Sequence, residues 1–328
     1  MASELEGRMT LSQRVQVFIQ SSPARMAVII SVLLFAVTVA INPRSLNLSA
    51  LGSIILLTLL LSFASAGQTM VLIGAGLDFT VGAVMSSAAI LTTYLMNGQN
   101  GTFPMVFVLA MAMGAAIGLL NGLCCVKIDL PPMIVTMAIS NVVTRMQYVL
   151  TQGHPSGYAS PNFINSVISR IGGVLPSLSL YALVLFPLVF FLLNRSRYGK
   201  QLYLTGNNPT AAQLTGIKTN RIRILMYVFS AMLSAFAGML GAAYMATARC
   251  QIFDEYAFNS LVAVIVGGTA FEGGIGSYTG SIAGALLMTV LSNGLTVLAL
   301  SQPLRNIVQG VVMVLLLIMY NRARAVRQ

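Results

Sequence analysis

The stretch Arg195–Arg223, RSRYGKQLYLTGNNPTAAQLTGIKTNRIR, is the longest polar interval in an otherwise apolar chain, and it holds six of the 18 Lys and Arg residues. Asn208 is a good helix N-cap, Pro209 suits a first helical position, and Gly216 suits the residue just past a helix end. This spacing predicts a helix of about two turns over Pro209–Thr215, lying outside the lipid. A short capped helix in a basic loop between apolar runs has the design of a docking element.

The runs on either side set the class. Of 328 residues, 57% are hydrophobic and only 8% charged, whereas a soluble domain carries about a quarter charged residues. The chain reads as an all-α, polytopic membrane protein. A net charge of +11 does not make it a nucleic-acid binder, because the charges sit in loops and tails and form no basic face with stacking aromatics.

Apolar runs of spanning length fall near 25–41, 50–75, 80–96, 103–126, 132–150, 178–193, 222–246, 258–271, 277–298 and 304–320, about ten transmembrane helices. Residues 1–24 read as an amphipathic segment on the membrane surface, 25–320 as one transmembrane domain with the polar loop at 194–221, and 321–328 as a basic tail. With the N-terminus inside, 13 of the 18 basic residues lie on the inner side and 5 on or near the outer side. That bias predicts cytoplasmic N- and C-termini and a cytoplasmic polar loop. The longest outer loop, 152–177, offers with 254–257 a face for a partner.

Two runs are abnormal. GQTMVLIGAGLDFTVG (67–82) is interrupted by glycines and Asp78, and 258–271 is short and runs into VGGTAFEGGIGS (266–277). Glycines and a carboxylate at membrane depth point to broken helices whose irregular backbone lines a cavity. A shift of 194 residues aligns Gly74 with Gly268, Asp78 with Glu272 and Gly82 with Gly276. A shift of 172 aligns Asn121 and Pro131 with Asn293 and Pro303, so the chain reads as an internal duplication with one helix missing from the second copy.

No phosphate-binding G-x-x-x-x-G-K-[ST] is present, so ATP-driven transport would need the ATPase on another chain. Ion-coupled transport would instead use an ionisable residue inside a span, and Asp78, Glu272 and Arg145 are the candidates. Asp78 has two readings, a cap for the N–H groups at the start of the following helix or a group on a translocation pathway, and the cap is favoured. Gln68, Asn121, Asn141 and Asn293 are polar groups within spans. They would serve either as hydrogen-bonding lining for a sugar-sized solute or as interhelical contacts, the latter being the commoner use. Cys124, Cys125 and Cys250 read as small apolar residues and His154 as a solvated loop residue, so no metal is expected.

GLDFTVG (76–82), LPPMIVTM (130–137), RSRYG (195–199), TGNNPTAAQLTGIK (205–218) and VGGTAFEGGIGS (266–277) resemble, in this order, the motifs of bacterial ABC-importer permeases of the ribose, xylose and autoinducer-2 class. The resemblance covers residues 50 to 320. It implies a non-enzymatic permease subunit of the bacterial inner membrane that pairs with a second permease. A cytoplasmic ATPase would bind the ATP, so no cofactor belongs to this chain, and a periplasmic binding protein would deliver a monosaccharide or related solute for alternating access. Matched residue by residue, Asn207, Asn208, Ala211, Ala212, Leu214, Gly216 and Ile217 correspond to the helix that couples the permease to the ATPase. Asp78 corresponds to the acidic position of the broken-helix motif, while Glu272 matches no acid of the family. The expected sidedness has a direct check: a cysteine placed at position 207 should be labelled by impermeant reagents from the cytoplasmic side only.

Overall fold

The computed structural model describes residues 22–301, 304–312 and 314. Most of the expected amphipathic segment at 1–24 and all of the basic tail at 321–328 lie outside the described residues. The chain forms α1 (Pro23–Ile41), a 3-10 turn at Pro43–Leu46, α2 (Leu48–Ile73), α3 (Val81–Met96), α4 (Phe103–Lys127) and α5 (Pro132–Thr151). There follow α6 (Pro161–Ile168), an antiparallel pair of two-residue strands, β1 (Arg170–Ile171) and β2 (Leu175–Pro176), and then α7 (Leu178–Asn194) and α8 (Arg197–Asn207). The last elements are α9 (Pro209–Leu214), α10 (Thr219–Met245), α11 (Glu255–Val266) and α12 (Tyr278–Val297), and residues 304–312 are helical again. Local chemistry sets many of the ends. Asn47, Ser160, Ser196, Asn208 and Ser277 cap α2, α6, α8, α9 and α12 with a side-chain oxygen, satisfying a backbone N–H that the helix itself leaves unpaired.

Among the described residues six helices are long and apolar enough to cross a membrane, α1, α2, α4, α5, α10 and α12, or seven if α7 and α8 count as one span bent by 59°. The count of about ten read from apolar runs is not confirmed. The runs at 80–96 and 258–271 become helices of 16 and 12 residues. At 1.5 Å per residue these reach about 24 and 18 Å, short of a hydrocarbon core about 30 Å thick. The run at 304–320 is described only as far as residue 314.

The short helices leave room that irregular backbone fills. After α10 the chain meets α6 at one end of the bundle, where the Ala159 N–H donates to the Ala246 carbonyl. It then dips between helices: the Phe253 N–H donates to Ser86 Oγ on α3, the Gln251 N–H donates to Gln147 Oε1 on α5, and the Phe253 ring lies against Gly241. Side chains of α3 and α5 supply partners that this irregular chain lacks, while Thr247, Arg249 and Gln251 stay exposed.

The bundle has two distinct ends. At one, the start of α2 lies under the β-hairpin, with Gly52 against the Val174 carbonyl and Arg170 donating to Ser49 Oγ at 2.8 Å. At the other, the end of α2 meets the segment after α11, where the Gly274 N–H donates to the Ile73 carbonyl at 2.8 Å. We call these the hairpin end and the loop end; α8 and α9 belong to the loop end.

Helix α10 is the hub, packed against α4, α3 and α2. Gly114, Gly118 and Gly122 repeat every fourth residue on α4, and each faces the backbone of α10, at Ala231, at Tyr227 and Val228, and at Ile224 respectively. Gly67 of α2 faces Ser230, and Gly238 of α10 faces the Met85 backbone of α3. In lipid, where apolar burial gives little drive between helices, such close approach supplies the dispersion that holds them together. Around this hub Phe63 packs with Phe186 and Phe236, centroids 5.8 and 6.0 Å apart. Replacing Gly118 with Leu should force α4 off α10 and cost about 1–3 kcal/mol or more, as overpacking does. Gly310→Ala, where an added Cβ meets nothing within 4 Å, should be nearly neutral, and thermal unfolding in detergent compares the two.

Candidate functional site

At the loop end the polar stretch folds much as its residues dictate. Ser196 Oγ accepts from the Gly199 N–H at 3.0 Å and starts α8, while Asn208 Oδ1 accepts from the Ala211 N–H at 3.0 Å and starts α9. Pro209 stands at the first position of α9, and Gly216, with φ +83, turns the chain after it. The observed α9 ends at Leu214, one residue before the expected end. Its exit is closed by the Ile217 N–H, which donates to the Ala212 carbonyl at 3.1 Å, and Gln213 Nε2 ties α9 to α10 by donating to Thr219 Oγ1 at 2.8 Å.

The seven residues matched to a coupling helix divide into two sets. Ala212 is buried and Ile217 packs on the core, so these two seat the helix. Asn207, Asn208, Ala211, Leu214 and Gly216 are exposed, and Leu214, at 86% exposure, is the most exposed large apolar residue described. A capped helix that lifts a leucine into solvent is built to place that leucine in something else.

Beneath α8 the two glycine-rich interruptions meet. Gly206 of α8 lies on the Ile73 carbonyl at the end of α2 and near the Gly274 N–H, contacts that a side chain would block. Gly273 approaches Ala75, Gly274 approaches Asn207, and the Tyr203 hydroxyl donates to the Gly276 carbonyl at 2.8 Å. Thus the breaks at 74–80 and 267–277 touch each other and the helix that leads into α9. Glycine is needed here because backbone meets backbone.

Asp78, in the first break, is wholly buried. One carboxylate oxygen accepts from the Thr80 N–H at 2.9 Å and from the Thr80 hydroxyl, and the other accepts from Ser230 Oγ of α10 at 2.8 Å. Asn121 Nδ2 of α4 donates to Thr80 Oγ1 at 2.9 Å. Three donors to a carboxylate offset part of a desolvation cost of several kcal/mol. The network ties the break to α10 and α4 at once. The carboxylate closes a turn onto the N–H of Thr80, the residue before α3, and caps no N–H within that helix, so the expected helix cap is not what the structure shows.

The other residues read as pathway candidates scatter. Gln68 is buried on α2, and its Oε1 accepts no hydrogen bond among the described residues, as is true of Asn121 Oδ1. Asn141 is exposed on α5 and donates to the Met137 carbonyl at 3.0 Å, and Asn293 is half-buried on α12. Glu272 is exposed at the loop end, so the two acids aligned by the 194-residue shift stand in unlike surroundings. The three cysteines are free and His154 is exposed; among the described residues no cluster could hold a metal ion. Sequence reasoning missed Thr80, whose signal was its place two residues after an aspartate, and Ser230, which carried none.

The carboxylate network makes an ordered prediction. Asp78→Asn keeps an acceptor for the Thr80 N–H, whereas Asp78→Ala leaves buried donors unpaired at about 1–3 kcal/mol each. Thermal unfolding of the purified variants should rank native above Asn and Asn well above Ala.

The chain is 28% identical to the galactose/methyl galactoside import permease protein of Haemophilus influenzae, over 86% of this chain and 89% of that one. It is 27% identical to the ribose import permease protein of Escherichia coli K12, over 88% and 91%, and 27% identical to that of Bacillus subtilis, over 79% and 80%. No solved structure matches the chain. Residues 50–317, a segment that holds both breaks, the carboxylate network and the capped helix, match a single family model, and the chain belongs to the family described as branched-chain amino acid transport system / permease component.

Proposed function

We propose that this chain is the membrane-spanning permease subunit of an ATP-driven importer, moving a monosaccharide or similar small polyhydroxylated solute into the cytoplasm of a bacterium by alternating access. The observation that carries the reading is α9: its exposed Leu214 stands over a base tied to α10 and reached through α8 from both breaks. Force delivered there by a separate ATPase has a short route to the irregular segments that can change shape. The family description names amino acids, but the near full-length relatives are named as sugar permeases, which favours a sugar class.

In this reading the loop end faces the cytoplasm, both termini are cytoplasmic, and the hairpin end receives a periplasmic solute-binding protein. Two permeases, identical or paralogous, enclose the pathway between them; of the polar candidates Asn141 is exposed toward it and Asn293 half-buried, whereas Gln68, Asp78 and Asn121 are buried within this subunit and would reach it only if the helices shift. An ion-coupled carrier would need a titrating group within the membrane that solvent reaches; Asp78 is sealed by Thr80 and Ser230, and Glu272 is exposed at the loop end outside any spanning helix.

Leu214→Asp should leave the chain inserted and folded, since the side chain is exposed, yet reduce ATPase copurification and ATP-driven uptake at least tenfold. Ala212→Arg should do the same by unseating α9. Uptake of labelled ribose or galactose at native rates with both substitutions would refute the coupling role. Solute accumulation by the chain alone under a proton or sodium gradient would refute the ATP-driven reading itself.

A further inference from the structure

Helix α5 is the least apolar of the six helices of spanning length, and most of it is not buried within the subunit. Its exposed arc splits into two stripes at helical spacing. Asn141, Arg145 and Tyr148 form one, at i, i+4 and i+7; Val142, Met146 and Val149 form the other, one residue on. The apolar stripe suits lipid or a packed partner. The polar stripe does not, because Arg145 lies six residues, or about 9 Å, inside the end of the helix. No carboxylate pairs with Arg145 among the described residues, and an intramembrane arginine facing lipid is costly enough that such residues line protein or water-filled interiors.

The stripe continues onto a second element. The Tyr148 hydroxyl donates to Gln251 Oε1 at 2.7 Å, and Gln251 Nε2 donates to Asp254 Oδ2 at 2.6 Å. Gln251 holds a left-handed backbone at φ +62, and its N–H donates to Gln147 Oε1 at 3.1 Å, so the dipping segment after α10 is fixed against α5. Arg145, Asn141, Tyr148, Gln251 and Asp254 thus share one patch on the hairpin half of the bundle. A guanidinium, two amides, a phenol and a carboxylate offer the mixed donors and acceptors that recognise a neutral solute rich in hydroxyls.

We propose that this patch is a wall of the solute pathway on the hairpin side, with Arg145 and Asn141 making direct contact with the hydroxyls of the passing solute. The assignment rests on the importer reading above and adds to it a site spread over two elements. Asn141 and Arg145 were legible as polar and ionisable residues in a span; Gln251 and Asp254 join them only through the dipping segment.

The test uses the full chain assembled with its ATPase in membrane vesicles, native cysteines changed to serine, and single cysteines introduced as N141C, R145C, V142C and V149C. An impermeant thiol reagent added from the hairpin side should modify N141C and R145C at least tenfold faster than V142C and V149C. In parallel, N141A and R145Q should lower ATP-driven uptake of labelled ribose or galactose at least tenfold, with ATPase copurification as the control for folding. Slow labelling at all four positions would overturn the wall, since the face would then be sealed by lipid or by the second permease. Fast labelling at 141 and 145 with native uptake by N141A and R145Q would overturn the contact with solute. If the native assembly imports neither sugar, the sugar assignment falls, and the labelling pattern alone decides the wall.

Discussion

An unpaired amide in hydrocarbon costs several kcal/mol, and this chain carries two stretches of glycine-rich backbone where no helix can pair its own groups. Neighbouring helices cover part of each stretch, while Ala75, Phe271, Glu272 and Ile275 stay exposed at the loop end. Helix α10 covers the first break through Ser230, α8 covers both through Gly206 and Tyr203, and each break covers the other where Gly273 meets Ala75. The same shelter that makes the breaks affordable puts them in contact with the segment that leads into α9.

This arrangement joins stability to transport. Glycines at 114, 118 and 122 let α4 and α10 approach backbone to backbone along three successive turns. Gln213 and Thr219 tie α9 to α10, and Asp78 ties α10 to the first break, so in the proposed reading movement of α9 would pass along this line. The breaks are the segments with conformations to spare.

Much of the loop end was legible before any coordinates. Asn208, Pro209 and Gly216 fix a short helix by local chemistry alone, and it forms within one residue of the expected end. Glycines and Asp78 in apolar runs announced irregular segments, which stand between helices at 74–80 and 267–277, whereas the bent helix pair among the described residues is α7 and α8. The span count was less legible, because an apolar run of 16 or 12 residues buried among other helices looks the same as one that meets lipid. The partners of Asp78 and Gln147 lie 152 and 104 residues away in sequence, and only tertiary packing brings them in. The division of the α9 residues into seating and presented sets was hidden for the same reason.

The central position of α10 also bears on how the chain is made. It begins at Thr219 of 328 residues, so α1 to α5 enter the membrane before the helix that covers them exists. Until then the glycine face of α4 has no backbone to meet, and the carboxylate of Asp78 lacks one of its three donors. The early helices are therefore inserted but incomplete, and their final packing waits for the second half of synthesis. Assembly is committed late, and a ribosome that stops before residue 245 releases a chain with a polar wound in its interior.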